Sequence, residues 1–302
     1  MFCLSGMFAV WLVVYVAWIP LVATTDYCTE GKCGSKHTLC IYPDETPGEK
    51  CVSLSGSGIK TEQAETILHL HNKWRDYVAA GNETRTLGGA LPQAANMGVL
   101  TWDPEMARAA QHWALQCTIE HDQCRDMPRL PVGQSLAFAG NTKQLPANIT
   151  RLVLMWYEDE VASYDTRGST AFHYSMETSH FTQWIWATSY KLGCGYSGFK
   201  DGKMHSHLLV CNYGPGGNIK ERDLYVAGAP CSQCPNGTTC GGDSRYPSLC
   251  SSDSGEVPAL PEDDIVWLTV SAAPAGLPAE GLRCLTLAVA AVLMCSRSAV
   301  LC

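Results

Sequence analysis

Two stretches of sequence decide the fold of this chain: Ser179-His180-Phe181-Thr182-Gln183-Trp184-Ile185-Trp186 and Leu208-Leu209-Val210-Cys211-Asn212-Tyr213-Gly214-Pro215-Gly216-Gly217-Asn218-Ile219. In the first, the spacing of Phe181, Trp184 and Ile185 predicts a short helix with a buried aromatic face, and His180 at its head is expected to face a groove. The second predicts an apolar strand over residues 208–211, followed by a turn whose glycines adopt positive φ. A strand that ends in such a turn is a common frame for a functional site.

Two longer helices are predicted nearer the N-terminus. Apolar residues recur at helical spacing from Thr61, the expected N-cap, to Gly81, where the helix ends. The second helix starts at Asp103-Pro104, because an N-cap aspartate is followed by proline at the first helical position. His71 and Asn72 lie in the first helix, and a structural role that satisfies backbone groups is preferred over a catalytic one for His71.

A third helix and a hairpin complete the predicted elements. The helix covers about residues 147–163 and places Glu160 on its buried face. Strand-like segments around residues 191–196 and 205–212 predict an antiparallel hairpin in a small sheet.

Composition restricts the class of protein. An apolar fraction of 46% in 302 residues is enough for a sizeable core. The net charge is −8 and no run of Lys or Arg occurs, which argues against a nucleic-acid partner. Sixteen cysteines indicate an oxidising compartment.

The N-terminus agrees with secretion. Residues 8–22 are almost continuously apolar, and residues 1–23 are interpreted as a signal peptide. The alternative is a permanent membrane anchor, because no Lys or Arg precedes the apolar run. In a secreted chain, three sequence triplets are acceptors for N-glycosylation, at Asn82, Asn148 and Asn236.

The C-terminus predicts a linker and a hydrophobic tail. Residues 251–283 are rich in Ser, Pro, Ala and acidic side chains, and residues 284–302 are mostly apolar. Small residues, a spacer and a hydrophobic tail resemble a GPI-attachment signal, which would be the only membrane attachment if the N-terminal segment is a cleaved signal peptide. The alternative is a disordered tail without that role.

Three units are predicted between the two ends. Residues 24–60 form a loop-rich cap tied by disulfides, residues 61–225 form the main domain, and residues 226–250 form a small cysteine-rich module. The pair Cys231 and Cys234 is interpreted as structural, rather than as a zinc ribbon or redox site, because no second such pair follows.

The two opening stretches resemble the signature segments of the CAP (SCP/TAPS) superfamily, the cysteine-rich secretory, antigen-5 and pathogenesis-related proteins. Two further matches are His71-Asn72-x-x-Arg75 and Trp102-Asp103-x-x-Met106-Ala107. Ser179 and Trp184 depart from the family pattern, which usually has glycine and an aliphatic residue there. The resemblance implies an α+β fold, a three-layer α-β-α sandwich with a small disulfide-rich C-terminal extension, and is nearest to the insect venom allergens (antigen-5-like).

The resemblance to insect antigen-5 proteins also implies a disulfide pattern. It pairs Cys28 with Cys40, Cys33 with Cys124, Cys51 with Cys117, and Cys194 with Cys211. The last four cysteines remain to pair among themselves, namely Cys231, Cys234, Cys240 and Cys250.

The same resemblance brings four polar residues into one cavity: His121, Gln134, Glu160 and His180. Gln134 stands where many relatives have glutamate, as in the insect antigen-5 group. Two imidazoles and one carboxylate are ligands for zinc or another divalent cation, held by His121 and His180. The alternative is a hydrogen-bonded polar cluster that needs no cofactor, because glutamine brings no charge to attract a cation.

Catalytic motifs are missing from the sequence. No His-Glu-x-x-His or Gly-x-Ser-x-Gly occurs, and Gly242-Asp243-Ser244 is interpreted as a chance match within the cysteine-rich module. Without such a motif a non-enzymatic function is expected, and the family resemblance implies a secreted, extracellular protein that binds a lipid, a sterol or another protein in the cleft. The alternative is a metal-dependent hydrolase or peptidase that uses the same cleft, with His121, Glu160 and a hydroxyl such as that of Ser135 as its parts.

Overall fold

The computed structural model describes residues 25–29, 31–167 and 170–252, and the backbone of residues 298–301. The predicted signal peptide (1–23) lies outside the described residues. So do all but two residues of the predicted linker (251–283) and most of the predicted hydrophobic tail (284–302).

Five α-helices and eight strands occur within these residues. The helices are α1 (Thr38–Ile41), α2 (Thr61–Ala79), α3 (Pro104–Ala114), α4 (Ile149–Glu158) and α5 (Ser179–Trp184). The strands are β1 (Gly56–Ser57), β2 (Thr101–Trp102), β3 (Gly133–Asn141), β4 (Lys191–Asp201), β5 (Met204–Gly214), β6 (Thr239–Cys240), β7 (Cys250–Ser251) and β8 (Ser298–Leu301). Short 3-10 helices cover Gly34–Lys36 and Val161–Ser163.

The main sheet has six strands in the order β1-β4-β5-β3-β8, with β2 also paired to β4. Strands β4 and β5 form the predicted hairpin, and both strands are longer than predicted. Cys194 lies opposite Cys211. Strand β3 pairs antiparallel with β5 along all nine of its residues, from Gly133 opposite Tyr213 to Asn141 opposite His205. Strands β6 and β7 form a separate two-stranded sheet.

Helices cover both faces of this sheet. Alternate residues of β5 point to opposite faces. Leu209, Cys211 and Tyr213 pack with α2, α4 and α5, whereas Leu208 and Val210 pack with α3. The α-β-α sandwich implied by the family resemblance is confirmed.

Two glycines of β4 allow α3 to lie directly against the sheet. A Cβ atom at Gly193 would overlap the backbone of Ala107, and one at Gly195 would overlap the backbone of Gln111. Gln111 is therefore close enough to bond the strand itself: its amide accepts from Tyr196 N at 2.8 Å and donates to Tyr196 O at 3.1 Å.

The N-cap of α2 lies one residue earlier than predicted. The N-cap is Lys60 rather than Thr61, and the Gln63 side chain accepts from Lys60 N at 2.9 Å. The helix ends as expected at Gly81, whose φ of +76° is readily adopted by glycine.

Two buried polar side chains of α2 serve the fold. His71 Nδ1 contacts Ile67 O at 2.8 Å, and its Nε2 contacts the Tyr213 hydroxyl at 2.9 Å. The Arg75 guanidinium donates to five carbonyl oxygens, those of Gly98, Trp184, Trp186, Ala187 and Ser189. The structural role preferred for His71 is confirmed.

Caps define the starts of α3 and α4. Asp103 accepts from Glu105 N and Met106 N, as its sequence predicts. Asn148 accepts from Arg151 N at 2.9 Å, so α4 begins at residue 149. The predicted third helix is too long at its C-terminal end, because Glu160 follows the α-helix and precedes a 3-10 turn.

The turn after β5 differs from its prediction. None of Gly214, Gly216 and Gly217 has a positive φ, and the left-handed residue is Asn218 at +58°. These glycines are needed for close approach instead. A Cβ at Gly216 would lie 2.6 Å from Gly133 N, and one at Gly217 would lie 2.5 Å from the Trp186 ring.

Both flanking segments join the main core. Strand β1 of the N-terminal cap pairs with β4, and Tyr246 and Leu249 of the cysteine-rich module are buried with α2, α4 and α5. The four disulfides implied by the resemblance are present. In the module, Cys231 pairs with Cys240 and Cys234 with Cys250.

Candidate functional site: a paired imidazole cluster

His180 lies at the start of α5 and is fixed by Glu160. Its Nδ1 atom lies 2.5 Å from Glu160 Oε1, and the other carboxylate oxygen accepts from Phe181 N at 2.8 Å. The ring stacks on Trp156 at a centroid distance of 6.1 Å. Only 2% of His180 is exposed. The ring is therefore enclosed by packing and does not face an open groove, contrary to the prediction from the sequence.

His121 follows α3 and forms a second pair with Gln134 of β3. His121 Nδ1 lies 2.8 Å from Gln134 Oε1. Because an amide oxygen only accepts, His121 Nδ1 carries the proton. Gln134 then donates to Asn212 Oδ1 at 3.1 Å, and Asn212 donates to Met106 O at 3.3 Å. The pair is half-buried and is tied to both β5 and α3.

Electrostatics connect the two pairs. Burial lowers the pKa of His121, and the positive charge of Arg125 and of a protonated His180 lowers it further. His121 is therefore a neutral imidazole at neutral pH. His121 with Gln134 and His180 with Glu160 thus form two hydrogen-bonded pairs, and the charge of a protonated His180 acts on His121.

The two signature stretches also bind each other. Gln183 accepts from Gly217 N at 2.8 Å, and Asn218 accepts from the Thr182 hydroxyl at 2.7 Å. Asn218 Nδ2 donates to Ser179 O at 2.7 Å. These contacts hold α5, and with it His180, against the end of β5.

Asn212 is the member of the cluster that sequence analysis missed. It is fully buried on β5 and connects Gln134 to α3. Its signal was present in the sequence, because a lone asparagine within the apolar run of residues 208–213 must find polar partners when buried.

The donor atoms of the two pairs limit how a divalent cation could be held. Both Nδ1 atoms are engaged, so either imidazole could ligate a cation only through its Nε2 atom. Gln134 Oε1 and both oxygens of Glu160 already accept hydrogen bonds. Among the described residues, the sets of three potential ligands within 4.8 Å of one another consist mainly of disulfide sulfurs, in Cys231, Cys234 and Cys250 and in Cys33 and Cys124 with Asp126. Among the residues that the structure describes, the two pairs therefore supply no set of three protein ligands to a cation.

Comparison with known proteins agrees with this architecture. The family described as "CAP: Cysteine-rich secretory protein family" matches residues 68–213. Venom allergen 3 of Solenopsis invicta is 38% identical over 229 residues, which cover 71% of this chain and 97% of the relative. The chain belongs to the CAP family.

Two further comparisons place it within that family. Venom allergen 5 of Brachyponera chinensis is 42% identical over 204 residues, covering 65% of this CAP chain and all of the relative. The crystal structure of NaASP2 with Zn²⁺ matches with a TM-score of 0.50 and 27% identity, over 64% of this chain and 97% of that one. This CAP protein is therefore similar to the venom allergens, as the sequence resemblance indicated.

All three predicted glycan acceptors lie at the protein surface. Asn82, Asn148 and Asn236 are all exposed, as glycan acceptors must be. In the ranges that the structure describes, no helix is both long enough and apolar enough to cross a bilayer.

Proposed function

We propose that this CAP protein is an extracellular, non-enzymatic binding protein whose ligand is a lipid, a sterol or another protein. The observation that carries the proposal is the arrangement of the cluster itself: its polar side chains are already hydrogen-bonded within the protein. His121 bonds Gln134, and Glu160 accepts from both His180 and Phe181. Such a cluster holds loops and a cleft floor in place without needing a cofactor.

The absence of an activated nucleophile from this cluster supports binding over catalysis. Ser135, the hydroxyl nearest in sequence to Gln134, is only 1% exposed. Neighbouring strand residues point to opposite faces of a sheet, so its side chain is directed away from the Gln134 side. Nucleophilic catalysis needs a hydroxyl within reach of its base and open to substrate.

A crevice between α2 and α4 supports an apolar ligand. Its volume is about 630 Å³ and its lining includes Gln63, Thr66, Leu145, Ala147 and Ile149. The crevice is open to solvent, so a ligand there would cover its apolar lining on one side. Leu145 is 48% exposed at this crevice, which leaves apolar surface for a lipid chain or sterol to cover.

Titration with a fluorescent fatty acid and a fluorescent sterol tests the proposal. Wild-type protein is expected to bind one of them saturably, and Leu145→Asp is expected to weaken binding about tenfold or more because a charge would face the apolar ligand. Leu87→Asp is the matched control, since Leu87 is 71% exposed and lies outside this crevice. Equal loss in both variants would show that the crevice is not the binding site. No binding of either probe by the wild-type protein would exclude lipids and sterols as the ligand class.

A metal-dependent hydrolase is the second candidate, favoured by the neutral His121 and by the zinc reported in the related structure. In that case a cation held by the two imidazoles would supply Lewis-acid chemistry. His180→Ala should then abolish zinc-dependent turnover of peptide or ester substrates. Turnover that depends on both zinc and His180 would replace the binding proposal with the enzymatic one.

A further inference from the structure

We propose that this protein has a second binding site, for a small organic cation with an aromatic or apolar body, between the N-terminal cap and the C-terminal end of α3. The cavity there measures about 650 Å³, a size typical of small-molecule sites. It shares no lining residue with the crevice between α2 and α4, so the inference is independent of the lipid proposal.

Two aromatic side chains form the wall of the cavity. Tyr42 and Trp113 have ring centroids 6.1 Å apart with an interplanar angle of 48°. Trp113 is fixed because its Nε1 donates to Glu120 O at 2.8 Å. The backbone of Tyr42 is fixed because its carbonyl oxygen lies 2.6 Å from His112 Nδ1. Tilted rings of this kind suit an apolar body and attract a cation through their faces.

The charges around the cavity favour a cation. The carboxylates of Asp44, Glu49 and Glu120 line it. In the described part of the chain, none of these three takes part in an ion pair. The single basic lining residue, Lys50, donates to the Thr118 hydroxyl at 3.2 Å and leaves an excess of negative charge.

The end of α3 adds to this negative potential. Gln116 lines the cavity just beyond the last residue of this eleven-residue helix. The C-terminal end of a helix carries partial negative charge because its peptide dipoles are aligned along the helix axis. Helix dipole and carboxylates therefore act in the same direction.

Cross-links hold the cavity open in one shape. Cys51 and Cys117, adjacent in sequence to the lining residues Lys50 and Thr118, form a disulfide that joins the cap loop to the segment after α3. Gly48 N donates to Leu115 O at 2.8 Å, and Cys51 N donates to Gly48 O at 2.9 Å. Because the cap loop is fixed to α3 before any ligand arrives, little ordering entropy is lost on binding.

Calorimetric titration of the full, disulfide-intact protein with phenethylamine tests the inference, with hydrocinnamate as a probe of similar size and opposite charge. Phenethylamine is expected to bind at least about tenfold more tightly than hydrocinnamate, because only the ammonium group is attracted by the carboxylates. The preference is expected to shrink as salt is added, since partly exposed charges are screened.

Substitutions assign the binding to this cavity. Glu120→Gln and Glu49→Gln should each weaken phenethylamine binding about fivefold, and both changes combined should weaken it further. Glu65→Gln is the matched control, because Glu65 is an exposed carboxylate of α2. The inference fails if the two probes bind equally, if phenethylamine shows no saturable binding, or if the double variant binds it as wild type does.

Discussion

At the scale of single residues, burial decides the charge state of His71. The ring is fully enclosed, stacks on Trp184 at 3.8 Å and contacts Ile67 O and the Tyr213 hydroxyl. Burial, together with the nearby positive charge of Arg75, lowers the pKa of His71 to about 3. The folded protein therefore keeps this imidazole neutral in a pH range where the unfolded chain takes up a proton.

A pH dependence of stability follows from that difference. The unfolded imidazole titrates near its ordinary pKa of about 6.5, so the unfolded state binds the extra proton between about pH 6.5 and the folded pKa. The contribution of His71 to the unfolding free energy is fully present above about pH 6.5 and is lost as the pH falls towards the folded pKa. This residue should account for about 2 kcal/mol of the loss in unfolding free energy between pH 7 and pH 5.

Urea unfolding of His71→Gln at both pH values measures this contribution. The variant should be less stable at pH 7, because packing and hydrogen bonds are lost, but its stability should fall less between pH 7 and pH 5. His173→Gln serves as the control, since His173 is exposed. An unchanged pH slope in His71→Gln would contradict the assignment.

At the scale of secondary structure, the start of α4 combines a helix cap with a glycan acceptor. Asn148 Oδ1 accepts from Arg151 N, while the Asn148 side chain is exposed. Attachment of a glycan uses the amide nitrogen and leaves this oxygen free to cap the helix. The two roles are therefore compatible at one residue.

Three variants separate those roles. Asn148→Asp and Asn148→Ala both remove the acceptor, but only alanine removes the cap, so Asn148→Ala should be about 1 kcal/mol less stable than Asn148→Asp. Thr150→Ala should lose the glycan and keep the asparagine cap. Denaturant unfolding measures the caps, and mass spectrometry before and after glycosidase treatment measures the glycan. Equal stability of the Asp and Ala variants would disprove the capping role.

At the scale of the whole molecule, the cysteine-rich segment and the main domain share one core. Cys250 N donates to Met97 O at 2.8 Å, and Val99 N donates to Cys250 O at 2.9 Å. Leu249 is fully buried and Tyr246 is nearly so. Unfolding of this segment therefore exposes apolar surface of the main domain as well.

Leu249→Ala is the corresponding test. Truncation of a fully buried leucine should lower the unfolding free energy by about 2–5 kcal/mol and shift a single, common transition. Leu87→Ala, at a leucine that is 71% exposed, should have little effect. A separate early transition of the segment, with the main transition unchanged, would show that it folds as an independent module.

Several elements could be predicted because their signals are local. The start of α3 depends on Asp103 and Pro104, which act on the adjacent turn. The hairpin of β4 and β5 was recognised from its apolar strands. Strand β3 was not predicted, since Gly133-Gln134-Ser135-Leu136-Ala137-Phe138-Ala139 contains no β-branched residue and alternates poorly. It is a strand because its backbone pairs with β5.

The turn after β5 shows the limit of local reasoning. Glycine was expected there for positive φ, a property of the residue itself. The actual reason is the nearness of Gly133 and Trp186, which lie far away in sequence. Nothing within the turn indicates which backbone or ring will press against it.

The sequence alone determined the family signatures, the helix start at Asp103 and the disulfide-forming chemistry of the cysteines, because each depends on residue type or on close neighbours. Only the tertiary structure decided that Cys231 pairs with Cys240, that Asn212 connects Gln134 to α3, and that Leu249 belongs to the main core. Sequence spacing does not choose among the possible pairings of the last four cysteines. The contacts of Asn212 and Leu249 join segments that are distant along the chain, and they depend on how the helices pack on the two faces of the sheet.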